Sequence, residues 1–456
     1  MSECFRHKTN MKRVFIKTYG CQMNERDSES VAHDLERNGY SLVSDEKLAD
    51  IVLLNTCSVR EKAELKAIGK ANQLLSRKKN KKNITLGILG CMAQNRGSEL
   101  TNSVKGVDLI VGTQKFHRVS EYLDRISSGQ GKETQPLVSL DEEADSQNKI
   151  NQHLISDQKQ VSSFVSIMQG CNMKCSFCIV PKTRGTERYR EMNDICHEIK
   201  LLRDKGVREI TLLGQIVNAY GRGVFKRIDK KSPFVQLLEK IHKIDGIERI
   251  RFTSPHPTSF GTDLIEAFER LPKLCDYAHI PMQSGSNKVL KSMRRPYTIE
   301  RFLSIVHSLR SKNKNMRLST DVIVGYPGET ETDFEETLSA FTESAFEMAF
   351  IFKYSDRSGT TAANLPDKVP QSKKEERNQI LLNTLDKQSL ESNIKLINSR
   401  LDVLVESRAK KGRGEFMGRT SCFRKVIFPA EYHSIGKILP VEILEASSTI
   451  LKGRIV

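Results

Sequence analysis

The sequence predicts an α/β protein of three parts: an N-terminal parallel-sheet α/β domain, a central partial barrel of six βα units and a small C-terminal β-barrel. Strand-like and helix-like segments alternate up to about residue 125 of the 456-residue chain, and again on a longer period from Val161. After Asn393 the pattern changes to short alternating runs interrupted by a glycine-rich basic turn, which is typical of a small β-barrel.

The N-terminal domain, residues 12–126, contains four strand candidates. They cover residues 13–21, 49–57, 83–91 and 107–112. Amphipathic stretches from Arg26 to Asn38, Val59 to Ser76 and Lys115 to Ile126 predict three helices. Because strands separated by helices form βαβ units, we expect a parallel sheet covered on both faces.

The central barrel is expected over residues 157–388, after a polar segment at 127–156 that we interpret as a linker. Its strand candidates are residues 161–169, 209–214, 247–254, 275–280, 318–325 and 347–355. Six such units predict a (βα)6 partial TIM-like barrel, which carries its chemistry on loops at the carboxyl ends of the strands. A charged helix at 371–395 precedes the C-terminal barrel domain, residues 391–456.

The charge balance favours a polyanionic partner. The chain has 73 Lys and Arg against 56 Asp and Glu, a formal charge of +17. Such an excess most often indicates nucleic acid, although a generally basic proteome would also explain it. The first ten residues have no apolar core of a secretory signal, and no apolar run approaches the length of a membrane span. We therefore expect a cytoplasmic protein without a membrane partner.

The C-terminal barrel is itself basic, with 12 Lys and Arg against 6 Asp and Glu between Asn393 and Val456. Its basic residues are the best candidates for contacts with a nucleic-acid backbone. The candidates are Lys410, Lys411, Arg413, Arg419, Arg424 and Lys425.

Three cysteines, Cys171, Cys175 and Cys178, follow the first barrel strand at a CxxxCxxC spacing. Three thiolates on one tight loop are suited to ligate three irons of a 4Fe–4S cluster and to leave the fourth iron open for a small molecule. A structural zinc site would normally have a fourth Cys or His nearby, and the nearest in sequence fall in the next predicted helix. Zinc binding or fortuitous spacing remains the alternative.

A second trio, Cys21, Cys57 and Cys91, falls at the ends of three successive strands of the N-terminal domain. The carboxyl ends of neighbouring parallel strands lie side by side, where open α/β sheets bind ligands. We therefore expect these thiols to converge as three ligands of a second cluster with a vacant position. The alternative is that each is simply a small buried residue.

Several segments resemble the radical S-adenosylmethionine methylthiotransferases, and in particular their tRNA-modifying branch. The CxxxCxxC loop with Phe177 before its last Cys resembles the radical S-adenosylmethionine superfamily, and the C-terminal barrel resembles a TRAM domain. The segments are KTYGCQMNERDSE (17–29), NTCSVREKAE (55–64), GCNMKCSFCIVPKTRG (170–185), FTSPHP (252–257), PMQSGSNKVLKSMRRPYT (281–298) and DVIVGYPGET (321–330). Together they extend over nearly the whole chain from residue 12.

The resemblance implies two 4Fe–4S clusters and S-adenosyl-L-methionine as cofactors. The cluster at Cys171, Cys175 and Cys178 would bind S-adenosylmethionine and generate a radical, and the second would carry the sulfur that is inserted. The resemblance places the S-adenosylmethionine molecule across the barrel strand ends, near Phe177, Gly214, Gln215, Ser254, Gln283, Ser284, Asp321 and Gly325.

The implied reaction is insertion of sulfur and a methyl group at carbon 2 of N(6)-dimethylallyladenosine beside the anticodon of tRNA. An electron donor such as a flavodoxin or ferredoxin and a sulfur donor system would be partners of an enzyme that acts as a monomer. Three alternatives stay open at this point. They are a sister enzyme acting on threonylcarbamoyl adenosine or on a ribosomal protein, a non-catalytic iron–sulfur RNA-binding protein, and a zinc protein.

Overall fold

The computed structural model describes residues 11–58, 61–78, 84–128, 136–143, 160–412 and 414–456. The chain divides into two compact units. The first comprises Met1–Ile155, Gln169–Met173 and Cys178–Arg190, and the second comprises Ser156–Met168, Lys174–Phe177 and Glu191–Val456.

The elements alternate between strand and helix over most of the described chain. The strands are β1 Arg13–Tyr19, β2 Ser41–Leu42, β3 Ile51–Thr56, β4 Thr85–Gly90, β5 Leu109–Val111, β6 Leu137–Ser139, β7 Ser162–Ser166, β8 Met168–Gln169, β9 Arg188–Tyr189, β10 Glu209–Leu213, β11 Arg249–Phe252, β12 Tyr277–His279, β13 Arg317–Val324, β14 Met348–Lys353, β15 Arg400–Arg408, β16 Glu415–Thr420, β17 Lys425–Pro429, β18 Ile438–Ala446 and β19 Leu451–Ile455. The helices are α1 Gln22–Arg37, α2 Glu61–Lys78, α3 Cys91–Arg96, α4 Leu100–Ser103, α5 Val119–Ser127, α6 Val180–Arg184, α7 Met192–Asp204, α8 Pro233–His242, α9 Thr262–Arg270, α10 Asn287–Ser292, α11 Ile299–Lys312, α12 Glu331–Glu343 and α13 Gln371–Ile394.

The first unit is built on a six-stranded parallel sheet in the order β2-β1-β3-β4-β5-β6. Every residue of β3 is buried because helices cover both faces of the sheet. Side chains alternate between the faces, so Val52 and Leu54 join one apolar core and Ile51 and Leu53 join the other. The parallel α/β architecture predicted for this region is confirmed.

Two strands of this sheet were not among the sequence expectations. The two-residue β2 extends one edge beside β1, and β6 extends the other beside β5. Strand β6, Leu137–Ser139, lies inside the segment interpreted as a linker. The rest of the segment that joins β6 to the barrel lies mostly outside the described residues, so the domain boundaries remain a prediction.

The second unit contains the six expected barrel strands. They form two three-stranded parallel sheets, β7-β10-β11 and β12-β13-β14, in chain order. A bridge between Ile250 and Leu274 joins the two sheets at the β11–β12 seam. The partial barrel is therefore confirmed, with its strands open at the β7 and β14 edges among the described residues.

The C-terminal segment of the second unit forms a closed five-stranded barrel in the order β15-β16-β17-β19-β18. Its interior is filled by apolar side chains from all five strands, including Val403, Phe416, Phe428, Ile443 and Leu451. This confirms the small β-barrel predicted from the alternating pattern. No described helix combines the length and the apolar character that a membrane crossing requires.

Candidate functional site

Cys21, Cys57 and Cys91 lie at the carboxyl ends of three adjacent strands, as the sequence predicts. The register pairs Tyr19 of β1 with Thr56 of β3, and Thr56 with Gly90 of β4. Cys57 and Cys91 directly follow β3 and β4, and Cys21 follows β1 after one glycine. Cys57 and Cys91 are buried, and Cys21 is hydrogen-bonded to Cys57.

Two glycines allow the backbone to approach these cysteines closely. Gly90 has φ of +95°, and a Cβ there would overlap Asn55 Oδ1 and lie 2.8 Å from the carbonyl oxygen of Thr56. A Cβ on Gly20 would lie 2.9 Å from Cβ of Cys57. No L side chain fits either place without displacing a neighbour, so the glycines are part of the site.

The thiols of this site differ in electrostatic environment. The hydrogen bond from Cys57 lowers the pKa of Cys21 to about 6, whereas burial raises the pKa of Cys91. Arg184 adds a positive charge that interacts electrostatically with both Cys21 and Cys91. A buried cation beside thiols favours their thiolate form, which is the form that binds metal.

The trio fits an iron–sulfur cluster. Among the described residues, no three His, Cys, Asp or Glu side chains have the arrangement that would hold a single metal ion. A cluster does not require that arrangement, because each thiolate binds a different iron atom. Three neighbouring thiols with a buried cation beside them match the donor set and charge that a three-cysteine cluster needs.

The segment carrying Cys171 belongs to the first unit. The amide of Cys171 donates to the carbonyl oxygen of Gly185 at 3.0 Å. Asn172 and Glu187 exchange two hydrogen bonds, in which the amide of Asn172 donates to Glu187 and the amide of Glu187 donates to Asn172. The segment after Cys178, which includes α6, is therefore fixed to the segment around Cys171 by one backbone–backbone hydrogen bond and two hydrogen bonds from backbone amides to side chains.

Cys175 lies in the second unit, next to an arginine. Arg295 Nη1 donates to Cys175 Sγ at 3.4 Å, and Arg295 Nε donates to the hydroxyl of Tyr297 at 3.2 Å. Ser176 is fixed by its hydroxyl, which contacts the carbonyl oxygen of Ser292 and the hydroxyl of Tyr326. Cys175 is thus held in a fixed position within the second unit, as a cluster ligand requires.

Most of the predicted S-adenosylmethionine contacts lie at barrel strand ends. Gly214 and Gln215 follow β10, and Ser254 and Gln283 lie just beyond β11 and β12. Ser254 and Gln283 have φ of +58° and +66°, which is uncommon for residues with a side chain and often marks a functional site. Gln215 Oε1 is buried and has no hydrogen-bond partner among the described residues. It can therefore accept a hydrogen bond from a donor group of a bound ligand.

The other predicted contacts also have packing roles. Phe177 packs against the apolar cluster that contains Tyr326. The buried Ser284 hydroxyl is hydrogen-bonded to the Thr337 hydroxyl and accepts a hydrogen bond from the amide of Ser286. Asp321 lies within β13, its carboxylate 3.2 Å from His279 Nε2. Gly325 has φ of +70° and its amide donates to Glu329. Their role in binding S-adenosylmethionine stays a prediction.

His256 and Arg295 were not singled out from the sequence, although each lies in a quoted motif. His256 is buried, Nδ1 receives the amide of Thr258, and Nε2 has no partner in the described part of the chain. Burial lowers the pKa of His256 to about 3, and the nearby Arg295 and Arg222 add to the shift. A neutral imidazole with an unused ring nitrogen therefore lies next to Tyr297, with ring centroids 5.6 Å apart.

Some of the residues predicted to contact RNA are exposed, and others are already paired within the protein. Lys410 and Lys411 are exposed between β15 and β16, Lys425 is half-buried, and Arg413 lies outside the described residues. Arg419 is paired with Glu406. Among the candidates that the structure describes, Lys410 and Lys411 are the most exposed and so have the freedom that phosphate contacts require.

Arg424, which the sequence predicts to contact RNA, is engaged inside the protein instead of being exposed. Arg424 is buried, and its guanidinium donates to Glu347 at 2.6 Å, to Ser392 at 2.7 Å and to Asn393 at 2.9 Å. Sequence charge alone does not reveal this burial. The physical role of Arg424 is to attach the C-terminal barrel to α13 and to the segment before β14.

The turn before Arg424 packs against the amino-terminal ends of the partial-barrel strands. Phe423 stacks on Tyr277 with ring centroids 5.0 Å apart, and Arg251 lies over the same Phe423 ring. Arg251 also donates to the carbonyl oxygens of Thr420 and Ser421, and Arg249 donates to that of Asp402. The C-terminal barrel is thus joined to the partial barrel by buried contacts within one unit.

An aromatic–arginine pair on the C-terminal barrel escaped the sequence prediction. Tyr432 is 64% exposed, and the guanidinium carbon of Arg408 lies 5.7 Å from its ring centroid. An exposed ring beside a cation is suited to stack on an unpaired base. The single Tyr in a polar segment gives no periodic signal, so only the structure identifies it.

Three family descriptions match successive parts of the chain. Residues 13–112 match Uncharacterized protein family UPF0004, residues 165–341 match the Radical SAM superfamily, and residues 395–456 match the TRAM domain. The fold is also similar to that of a radical S-adenosylmethionine methyltransferase, TsrM, from Kitasatospora setae. That similarity has a TM-score of 0.58 and 12% identity, and it covers 78% of this chain and 74% of that one.

Relatives of much higher identity are similar over almost the whole chain. A tRNA-2-methylthio-N(6)-dimethylallyladenosine synthase from Opitutus terrae is 52% identical, with 98% of each chain covered. A protein of the same name from Methylacidiphilum infernorum is 50% identical, over 97% of this chain and 94% of that one. The chain therefore belongs to the tRNA-2-methylthio-N(6)-dimethylallyladenosine synthase family.

Proposed function

We propose that this protein inserts sulfur and a methyl group at carbon 2 of N(6)-dimethylallyladenosine next to the anticodon of tRNA. The observation that carries the proposal is the three-cysteine site at the ends of β1, β3 and β4, in a chain that also has a radical S-adenosylmethionine domain. Relatives similar over nearly the full chain carry the name of this activity, and their names favour it over the threonylcarbamoyl and ribosomal-protein alternatives.

Each cysteine trio would hold one 4Fe–4S cluster. Cys171, Cys175 and Cys178 would hold the cluster that binds S-adenosylmethionine, and the trio at the β1, β3 and β4 ends would hold the cluster that carries sulfur. The bound cofactors supply a radical, which is needed because the C–H bond at carbon 2 of adenine is not activated for acid–base or nucleophilic attack.

The chain's own residues position the cofactors and the substrate. Gln215 Oε1, which is buried and has no hydrogen-bond partner in the part of the chain that the structure describes, and the strained backbone at Ser254 and Gln283 support binding of S-adenosylmethionine across the barrel strand ends. His256 Nε2 is a further polar group available there, held neutral by burial.

The C-terminal barrel would hold the tRNA. Lys410 and Lys411 are exposed point charges suited to backbone phosphates, and Tyr432 is suited to stack on an unpaired base. A modified adenosine beside the anticodon lies in a single-stranded loop, where a base can leave the stack and enter a pocket. The electron donor, such as a flavodoxin or ferredoxin, the sulfur donor system and a monomeric state complete the proposal.

The test is mass spectrometry of tRNA nucleosides from cells that lack this protein and are complemented with variants. The wild-type chain is expected to restore the methylthio form of dimethylallyladenosine, whereas Cys91→Ala and Cys175→Ala are expected to leave it absent. Cys196→Ala is the matched control, because Cys196 lies on α7 outside both trios. Unchanged methylthio nucleoside without the protein would contradict the substrate, and a changed threonylcarbamoyl adenosine would favour the alternative.

Iron analysis after anaerobic reconstitution tests the cofactors separately. Two clusters predict about eight irons per chain and a loss of about four when either trio is replaced by alanine. Stoichiometric zinc without iron would contradict the cluster assignment for both sites.

A further inference from the structure

Arg184 is a buried arginine at the amino-terminal cysteine trio, and it comes from a different part of the chain. It ends α6, six residues after Cys178, and is 3% exposed. Its Nη2 donates to Asp27 Oδ2 at 2.6 Å, and Asp27, on α1, is 1% exposed. Helix α6 is held in place by the hydroxyl of Thr113, which donates to the carbonyl oxygen of Thr183 at 2.6 Å.

The two ends of the Arg184 guanidinium differ in their partners. Nη1 is buried and has no hydrogen-bond partner among the described residues. The same guanidinium interacts electrostatically with Cys21 and Cys91, and its contact with the Cys91 thiol opposes the rise that burial gives to the pKa of that thiol. A buried N–H group without an acceptor is unfavourable by itself, so a retained one at a ligand site indicates an acceptor that the bound ligand supplies.

A cluster held by the trio would place negatively charged sulfur atoms in a buried site. Asp27 balances Arg184 as one buried ion pair, and three cysteine thiolates with their bound sulfur would add further negative charge. Buried negative charge requires a nearby hydrogen-bond donor or cation, and the free Nη1–H group of Arg184 is such a donor.

We propose that Arg184 is a cluster-binding residue whose Nη1–H group donates a hydrogen bond to a sulfur atom of the cluster held by Cys21, Cys57 and Cys91. The inference rests on the proposed function, since it assumes that the trio holds a cluster. Hydrogen bonds and local charge at cluster sulfurs raise the reduction potential and help to retain the iron. Asp27 acts as the positioning residue, because it fixes the orientation of the guanidinium.

The experiment uses the full chain with Cys171, Cys175 and Cys178 replaced by alanine, so that only the amino-terminal trio can bind iron. Arg184→Gln and Arg184→Lys are introduced into this parent. Arg377→Gln is the matched control, because Arg377 is also a buried arginine, paired with Glu329 at 2.6 Å in the second unit. Each protein is reconstituted anaerobically. Its iron content, its midpoint potential by paramagnetic resonance and its rate of iron loss to a chelator are then measured.

The parent is expected to hold about four irons. Arg184→Gln is expected to shift the midpoint potential to a more negative value and to speed iron loss about tenfold, the size of one charge-assisted hydrogen bond. Arg184→Lys keeps the positive charge but loses the planar guanidinium, which can donate hydrogen bonds to two partners at once. The midpoint potential of this variant should therefore lie between those of the parent and the Gln variant. Arg377→Gln should match the parent in both measurements.

The outcomes separate this inference from the proposed function. A parent that binds no iron would contradict the cluster assignment and the inference with it. A parent that binds iron while Arg184→Gln shows the parent's potential and iron loss would overturn the inference alone. If the Gln variant does not accumulate as folded protein, the Lys variant decides, and a potential equal to that of the parent overturns the proposal.

Discussion

Replacing Arg424 with alanine should destabilise the protein without a specific weakening of tRNA binding. Arg424 was a candidate for RNA binding by its charge, yet its guanidinium is buried against Glu347, Ser392 and Asn393. The substitution removes these hydrogen bonds and leaves the Glu347 carboxylate with Arg317, at 3.8 Å, as a more distant cation.

The magnitude follows from the pairing. Removing one partner of a buried ion pair costs about 3–5 kcal/mol, and we expect the lower end of this range because Arg317 remains near Glu347. At roughly 2–4 °C per kcal/mol, the melting temperature should fall by at least about 6 °C. Arg424→Lys keeps the charge but cannot span three acceptors, so its melting temperature should lie between those of the wild type and the alanine variant.

The assay combines thermal unfolding, followed by circular dichroism, with tRNA binding over a salt series. The matched variant is Lys410→Ala/Lys411→Ala, because both lysines are exposed. It should melt with the wild type but bind tRNA more weakly, and its salt slope should fall by about 0.7–0.9 for each phosphate that is no longer neutralised. If Arg424→Ala melted with the wild type while its salt slope fell in the same way, the structural role assigned to Arg424 would be refuted.

Three further predictions concern other residues. Tyr432→Ala should weaken tRNA binding by about 1–3 kcal/mol, the value of one base stacked on an aromatic ring, and Tyr432→Phe should bind like the wild type; equal affinity for all three would exclude stacking. Gly90→Ala should lower the iron content of the amino-terminal site and the melting temperature, because a Cβ there overlaps Asn55 and φ is +95°, whereas Gly69→Ala in α2, where a Cβ meets nothing within 4 Å, should do neither. His256 has its pKa lowered by burial to about 3, so its neutral form contributes stability that is present above about pH 6.5 and lost as the pH falls toward 3. Denaturant unfolding of wild type and His256→Asn across this range should differ in slope by up to one proton, and parallel curves would contradict the burial of a neutral imidazole.

The strands that carry a strong apolar pattern could be predicted from the sequence. β3 is buried along its whole length and was readily found, as were the six barrel strands. β2 and β6 have two and three residues, too few for a period to show, and they exist because the edges of the sheet provide hydrogen-bonding partners. β6 also lies in a polar segment, whose composition predicts a linker.

The cysteine trio at β1, β3 and β4 could be predicted because topology alone brings the ends of parallel strands together. The arginine beside it could not. Arg184 and Asp27 are 157 positions apart, and no local pattern shows that the segment after Cys178 packs onto α1. The sequence motif containing Arg184 resembles the family, but a motif does not reveal which of its side chains is buried or what it contacts.

The net charge of +17 therefore combines basic residues with opposite physical roles. Arg184, Arg251 and Arg424 are buried and paired with carboxylates, so they add little to the long-range field that attracts tRNA. Lys410 and Lys411 are exposed and can exchange counterions for phosphates. A charge count treats the two kinds alike, which is why it favours a nucleic-acid partner and yet selects the buried Arg424 together with the exposed lysines. Arginine forms buried, multiply hydrogen-bonded pairs more readily than lysine, so in a basic domain the exposed lysines are the better first candidates for phosphate contacts.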